Sequence, residues 1–203
     1  MRSFTCALPA VCALLGAATA AAPSVTIDAG VVIGTTTTLP TATASVNKFL
    51  GIPFAQSPPE RFAPPQKPSN FSRPINATAW RPACVQQFIY PPAQQAYTKL
   101  VFNNPGQAPP LESEDCLYIN VYAPSTPAAA DGRAVMFWLY GGALEFGTAG
   151  QQGYDGSSFA AYQDVIVVAP NYRTNGESSQ TTTKDAPADY CSLWLSQLAR
   201  AQP

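Results

Sequence analysis

The sequence predicts an α/β fold with a mixed, mostly parallel sheet, and three apolar runs carry this prediction. They are CLYINVYAP, AVMFWLYGG and VIVVAPNYR, at residues 116–124, 134–142 and 165–173. Near-continuous apolar runs are typical of strands that are buried on both faces. Between the last two runs, DGSSFAAYQD favours a short helix with Ser157 or Ser158 near its N-cap. The order strand, helix, strand is the building unit of α/β folds.

A β-hairpin is predicted ahead of this sheet. In SVTIDAGVVIGT (24–35), two β-branched runs flank Asp28-Ala29-Gly30, which is typical of a hairpin turn. The next strand-like run, VNKFLGIPFA, ends at Pro53. Residues 56–113 are rich in Pro, Gln, Asn and Ser, so we expect a long irregular excursion. A loop of that length in a compact domain is usually functional or cross-linked.

The composition limits which class of protein this is and which partners it can bind. The 203 residues carry 11 Lys and Arg against 12 Asp and Glu, and the basic residues form no cluster. This charge distribution excludes an electrostatic nucleic-acid interface. The length suits one domain. The sequence offers neither a metal-ligand cluster nor a phosphate-binding loop, so we expect no metal and no cofactor.

The N-terminus has the pattern of a secretory signal peptide over residues 1–20. Arg2 is followed by the apolar stretch FTCALPAVCALLGA and by small-residue cleavage sites near Ala20 or Ala22. The alternative is a buried N-terminal helix. Because this apolar stretch is too short for a spanning helix and no other stretch approaches about 20 consecutive apolar residues, no transmembrane segment is predicted. We therefore expect a secreted, extracellular protein.

A secreted protein can form disulfides and can be N-glycosylated, and the sequence offers residues for both. Removal of the signal leaves Cys84, Cys116 and Cys191, and an oxidising compartment favours pairing two of the three. The sequons NFS and NAT offer Asn70 and Asn76 as glycan acceptors, although such tripeptides also occur by chance.

The segment LYGGALEFG (139–147) carries the first chemical signal, because Gly141-Gly142 end a predicted buried strand. Small residues there leave backbone N–H groups free to point into a crevice. Such donors stabilise the oxyanion of an acyl transfer. The alternative is a tight turn in which glycine only relieves crowding.

Four blocks of sequence together match the pattern of a known family. They are FLGIPFAQSPPERFAPPQKP (49–68), EDCLYINVYAP (114–124), WLYGGALEFGTAG (138–150) and YDGSSFAAYQDVIVVAPNYR (154–173). The chain thereby resembles the type-B carboxylesterases and lipases, the cholinesterase-like α/β-hydrolases, and among them the secreted fungal enzymes. The resemblance implies a partial α/β-hydrolase fold over 21–175, truncated before the nucleophile elbow. Residues 176–203 would be an unmatched tail, either a terminal helix or unfolded.

The resemblance also implies an activity and the roles of six residues. The activity is hydrolysis of a small-molecule or lipid ester through a serine acyl-enzyme, without a cofactor. The roles are oxyanion donors for Gly142 and Ala143, the first family disulfide for Cys84 and Cys116, and an internal ion pair for Arg61 and Glu114. A disulfide closing such a loop contributes about 3–4 kcal/mol in the chain-entropy account.

Ser178, in Gly176-Glu177-Ser178, is the candidate nucleophile, but its surroundings depart from a nucleophile elbow. An elbow needs a strand that runs directly into Gly-x-Ser-x-Gly and a helix that leaves it. Here Gln180 replaces the last glycine, and residues 170–175 separate the strand from the motif. The following TTTKDAP is a poor helix start.

The sequence contains no histidine. In this family a histidine, oriented by a carboxylate, removes the proton from the serine hydroxyl. We therefore expect these residues to be an inactive fragment of an ester hydrolase that lacks the catalytic histidine and acid. Two alternatives stay open: a secreted, non-catalytic binding module with an esterase-like fold, and part of a longer, active enzyme. The sequence fixes neither the substrate nor the oligomeric state.

Overall fold

A computed structural model describes residues 21–88, 92–104 and 106–175. The proposed signal segment, Cys191, Ser178 and the remainder of the tail lie outside the described residues. The strands are β1 (Ser24–Ile27), β2 (Gly30–Ile33), β3 (Thr35–Thr37), β4 (Val46–Pro53), β5 (Ile75–Asn76), β6 (Tyr118–Pro124), β7 (Val135–Phe137) and β8 (Ile166–Pro170). The helices are α1 (Pro92–Phe102) and α2 (Ser157–Gln163), with a 3₁₀ turn at Gln152–Tyr154.

The strands form two sheets, of which the smaller contains the predicted hairpin. β1 and β2 pair antiparallel around a two-residue turn, with Ile27 opposite Gly30. β5 adds to β2 in parallel, which gives the order β1-β2-β5. The N-terminal hairpin predicted from its β-branched runs is therefore present, and it extends to a third short strand from within the excursion.

The larger sheet has the order β3-β4-β6-β8-β7 and positions the site. It is mixed, as predicted, but the prediction of mostly parallel pairing is wrong for the described residues. In this larger sheet only β7 and β8 pair in parallel, whereas the pairs β3/β4, β4/β6 and β6/β8 are antiparallel. Continuous apolar runs report that a strand is covered on both faces, which is commonest in parallel sheets. The run of β6 is buried in this way although both of its pairings are antiparallel.

Two apolar clusters cover the two faces of this sheet. Val121 and Val168 lie opposite each other and belong to one cluster, and the adjacent pair Tyr122 and Val167 belongs to the other. This alternation is the period of two expected for strands. β6 and β8 thus fulfil the prediction of burial on both faces.

β7 departs from that prediction, because it is only three residues long and its apolar side chains are partly exposed. Val135 is 41% and Met136 38% exposed. Among the described residues β7 pairs with β8 on one side only. The chain leaves the sheet soon after Phe137, once the Trp138 N–H has donated to the Val168 carbonyl at 2.8 Å. Residues 139–142, predicted as strand, instead enter the loop described below.

The helix α2 lies between β7 and β8, as predicted, and both predicted serines lie next to its N-cap residue, Gly156. Ser157 is the first helical residue, and the Asp155 carboxylate accepts its N–H at 2.9 Å. Both serines therefore lie near the cap, as predicted, although no side chain caps the helix from the N-cap position. The same carboxylate pairs with Lys48 Nζ on β4 at 2.5 Å, and both side chains are largely buried. This ion pair joins the start of α2 to the sheet.

The excursion contains a helix that its composition did not indicate. α1 begins at Pro92, a residue favoured in the first helical position, and continues through Ala, Gln, Lys and Leu, which are good helix formers. The prediction of an irregular excursion over 56–113 is therefore wrong for this segment. No helix in the described part of the chain has the length and apolarity needed to cross a membrane.

The excursion is closed by a disulfide between Cys84 and Cys116. Both residues are fully buried, their Cα atoms are 4.9 Å apart, and 32 positions of sequence separate them. The bond fixes residues 84–88 beside the start of β6, next to the glycine-containing loop.

The Lys48–Asp155 pair predicts a pH-dependent contribution to stability. Burial alone would raise the pKa of the Asp155 carboxyl, but hydrogen bonds from Lys48 and from the Ser157 N–H lower the pKa below its ordinary 3.8. A lowered folded-state pKa stabilises the fold above the unfolded-state pKa, and this stabilisation is lost as the pH falls through the folded-state value. Asp155→Asn should therefore reduce the free energy of unfolding at pH 7 by about 1–3 kcal/mol.

Urea unfolding of both proteins at several pH values measures this effect. The difference between wild type and Asp155→Asn should be constant near neutrality and should shrink as the pH falls below 3.8. Asp131→Asn, at an exposed turn residue, is the control and should match wild type throughout. A difference that does not change with pH would contradict the assignment.

Candidate active-site loop

The loop after β7 has an unusual backbone at the positions proposed as oxyanion donors. Gly142, Ala143 and Leu144 have φ angles of 131°, 54° and 64°. Two successive non-glycine residues in the left-handed region are uncommon and cost free energy. Such strain is retained where surrounding contacts hold it, and it occurs often at functional sites.

A tight turn closes directly on Gly142. Its carbonyl accepts the N–H groups of Glu145 at 2.9 Å and Phe146 at 3.2 Å. Because a trans peptide is planar, the Ala143 N–H points away from the Gly142 carbonyl of the same peptide and so out of the turn. Among the described residues, neither the Gly142 N–H nor the Ala143 N–H donates to a protein acceptor. Ala143 is exposed.

Two stacked tyrosines hold the segment that leads from β7 into this turn. The rings of Tyr140 and Tyr172 stack with their centroids 4.2 Å apart. The Tyr140 hydroxyl donates to the Tyr172 carbonyl at 3.1 Å, and the Tyr172 hydroxyl donates to the Tyr140 carbonyl at 2.7 Å. Burial raises the pKa of the Tyr140 hydroxyl far above its ordinary value, so it remains a neutral donor. The backbone is therefore fixed at Tyr140, directly before Gly141.

Two buried asparagines hold the chain where it leaves the loop. The Asn171 side-chain oxygen accepts the Ala149 N–H at 2.9 Å, and the Asn120 amide donates to the Ala149 carbonyl at 3.0 Å. Asn171 also donates to the carbonyls of Pro82 and Cys116, both at 3.0 Å. The loop exit is thereby tied to β6, to β8 and to the disulfide.

The segment after Cys84 supports the middle of the loop. Gln86 Oε1 accepts the Gly147 N–H at 2.7 Å, and the Gln87 N–H donates to the Glu145 carbonyl at 2.9 Å. Phe146 packs against Phe88 and against Phe102 of α1, at centroid distances of 5.0 and 4.7 Å. The disulfide-closed excursion is therefore part of the loop's support.

The other sequence-derived site residues lie away from the loop. Arg61 and Glu114 form an exposed ion pair in which Arg61 Nε donates to Glu114 Oε2 at 3.1 Å. Arg173 donates to the carbonyls of Ala63 and Glu60 at 2.8 and 2.9 Å. This places the ion pair beside the end of β8.

The sequon residues Asn70 and Asn76 are both exposed. Ser178 is outside the described residues, so the structure gives no distance from it to Gly142 or Ala143. Within the ranges that the structure describes, no group of three or more His, Cys, Asp and Glu side chains could hold a metal ion.

Sequence reasoning missed the residues that shape the loop. Asn120 offered a signal, since an asparagine inside an apolar run such as LYINVYA must find hydrogen-bond partners when the strand is buried. Asn171 and Tyr172 lie in the family-like block 154–173, but a polar residue that follows a strand gives no indication of which distant carbonyls it reaches.

Two neighbouring glycines should differ widely in how much stability is lost on substitution by alanine. At Gly142 a Cβ would lie 1.9 Å from the Phe146 carbonyl oxygen, and φ is 131°. At Gly141 no atom lies within 4 Å of that position. Gly142→Ala should therefore lower the free energy of unfolding by about 2–4 kcal/mol, and Gly141→Ala by less than about 1 kcal/mol. Urea unfolding checks both, and equal effects would contradict the loop geometry.

Comparison with known proteins gives the affiliation of the chain. The sequence profile described as the Carboxylesterase family matches residues 21–178. Carboxylesterase 1E of Mus musculus is 39% identical over 153 residues, which are 74% of this chain and 26% of that protein. Cocaine esterase of Homo sapiens is 39% identical over 155 residues, 75% of this chain and 27% of that protein. The chain thus spans about a quarter of the length of these curated relatives. It belongs to the carboxylesterase family.

Proposed function

We propose that this chain is the portion of a carboxylic ester hydrolase that supplies the oxyanion loop. The main support for this proposal is that the N–H groups of Gly142 and Ala143 have no protein acceptor among the described residues. In acyl transfer the ester carbonyl oxygen becomes an oxyanion when the nucleophile adds to the carbonyl carbon. Preorganised N–H donors stabilise that charge, at about 2.7–4 kcal/mol per donor.

The surroundings of the loop support an ester with apolar groups as the substrate class. Trp138, Leu139 and Leu144 flank the two glycines and are 42%, 58% and 64% exposed. Cocaine esterase and a protein named fatty acyl-CoA hydrolase, from Anas platyrhynchos, are among the relatives. We propose a small-molecule or lipid ester for this chain. The apolar flank would bind its acyl or alcohol group while the N–H groups face its carbonyl.

The polypeptide of these 203 residues is proposed to be inactive alone, because it contains no histidine to accept the serine proton. Loss of that base costs on the order of 10⁶ in kcat in a serine hydrolase. The same absence favours the second candidate, a non-catalytic binding module that keeps the esterase surface. Ser178 is the candidate nucleophile of this chain, in a segment that departs from a nucleophile elbow at Gln180 and over residues 170–175.

We further propose that the protein is secreted, as in the fungal lipases and esterases that its sequence blocks resemble. The signal-like residues 1–20 and the buried Cys84–Cys116 disulfide support this compartment. The exposure of Asn70 and Asn76 supports their use as glycan acceptors.

A chimera tests the proposed function. Residues 21–175 would replace the matched segment of Carboxylesterase 1E, whose remaining three-quarters would supply the rest of the enzyme. The chimera, once shown to be monodisperse and to melt cooperatively, should hydrolyse p-nitrophenyl butyrate. A folded chimera with no hydrolysis above the uncatalysed rate would overturn the oxyanion role.

The isolated polypeptide is the matching negative case. It should neither hydrolyse p-nitrophenyl butyrate nor be labelled at Ser178 by a fluorophosphonate probe, because no base is present to activate the hydroxyl. Mass spectrometry of the labelled peptides and initial-rate assays measure this. Turnover that Ser178→Ala abolishes would show that the polypeptide is an active enzyme by itself.

A further inference from the structure

The direction of the Ala143 N–H depends on a turn that other residues must hold. The Gly142 carbonyl is fixed by the N–H groups of Glu145 and Phe146, and this carbonyl and the Ala143 N–H belong to one planar peptide. Any rotation of that peptide would move the N–H away from its outward direction. The positions of Glu145 and Phe146 therefore decide where the donor points.

Asn175, five residues beyond the end of β8, makes three hydrogen bonds around this turn. Its backbone N–H donates to the Leu144 carbonyl at 2.8 Å. Its side-chain amide nitrogen donates to the Glu145 carbonyl at 2.9 Å and to the Val85 carbonyl at 2.8 Å. One residue thus fixes two consecutive carbonyls of the turn and joins them to the segment that follows Cys84.

The residue type suits this position in two respects. Asn175 has φ 58°, in the left-handed region that asparagine tolerates better than most residues. A side-chain amide nitrogen has two hydrogens and can serve two carbonyls, which a carboxylate cannot do. Thr174, fully buried, donates from its hydroxyl to the same Val85 carbonyl at 2.6 Å and anchors the chain just before Asn175.

We propose that Asn175 is a positioning residue that holds the Gly142–Phe146 turn and thereby orients the Ala143 N–H. The inference rests on the proposed function, in which that N–H is an oxyanion donor. The side-chain amide acts through the Glu145 carbonyl, and it does not itself face the substrate. Without the amide, the turn keeps the bonds from the Asn175 N–H and the Gln87 N–H but loses the side-chain bridge from Glu145 to the Val85 carbonyl.

Amide hydrogen exchange followed by ¹⁵N NMR on the full 203-residue chain tests this role. Asn175→Gly removes the amide and keeps the left-handed backbone, and Asn175→Asp keeps the shape but replaces the donor with an acceptor. Asp164→Gly is the matched control, since Asp164 is also left-handed, with φ 52°. Its side chain accepts a hydrogen bond from Arg133, which is not part of the Gly142–Phe146 turn. The amides of β6 and β8 report global stability.

Both Asn175 variants should accelerate exchange at Glu145 and Phe146 on the order of tenfold relative to the β6 and β8 amides. They should also shift the Ala143 amide resonance, and Asp164→Gly should do neither. Using the ratio of turn to sheet exchange keeps the test valid if a variant lowers overall stability. An unchanged ratio and an unmoved Ala143 resonance in both variants would overturn the proposal. Because no ester is present, this result is independent of whether the chimera hydrolyses its substrate.

Discussion

The buried side-chain amide of Asn171, directly after β8, is the interaction on which the rest of the site depends. Its oxygen accepts from Ala149, and its nitrogen donates to the carbonyls of Pro82 and Cys116. Asn171 is 4% exposed, and a buried polar group without partners costs roughly 1–3 kcal/mol. One amide therefore joins the end of β8, the disulfide and the exit of the candidate active-site loop, and the Asn120 side chain bonds Ala149 from the other side.

This arrangement explains how the protein maintains a strained turn. Ala143 and Leu144 adopt left-handed conformations that would relax in an isolated peptide. The stacked Tyr140 fixes the chain before the turn, and the two asparagines fix it after Gly147. The excursion supplies a third support through Gln86 and Gln87. The outward direction of the Ala143 N–H is thus a property of the surrounding scaffold, which is what preorganised electrostatic stabilisation requires.

Local patterns predicted the elements whose causes are local. The hairpin at Asp28 follows from two β-branched runs around turn residues, and the strands β6 and β8 follow from near-continuous apolar runs. The helix α2 follows from the segment between two such runs. The resemblance placed Gly142 and Ala143 on the loop, whereas their φ angles and unpaired N–H groups came only from the structure. Strand direction, the Lys48–Asp155 ion pair and the roles of Asn120 and Asn171 depend on contacts between residues tens of positions apart, which no local window contains.

A double-mutant cycle tests most directly whether Asn120 and Asn171 act together in holding Ala149. The free energy of unfolding in urea is measured for wild type, Asn120→Ala, Asn171→Ala and the double variant. Because both side chains hold Ala149, the second substitution should cost less once the first is present, with a coupling of about 0.5–3 kcal/mol. Losses that add to within about 0.3 kcal/mol would show that the two asparagines act independently and would contradict this account.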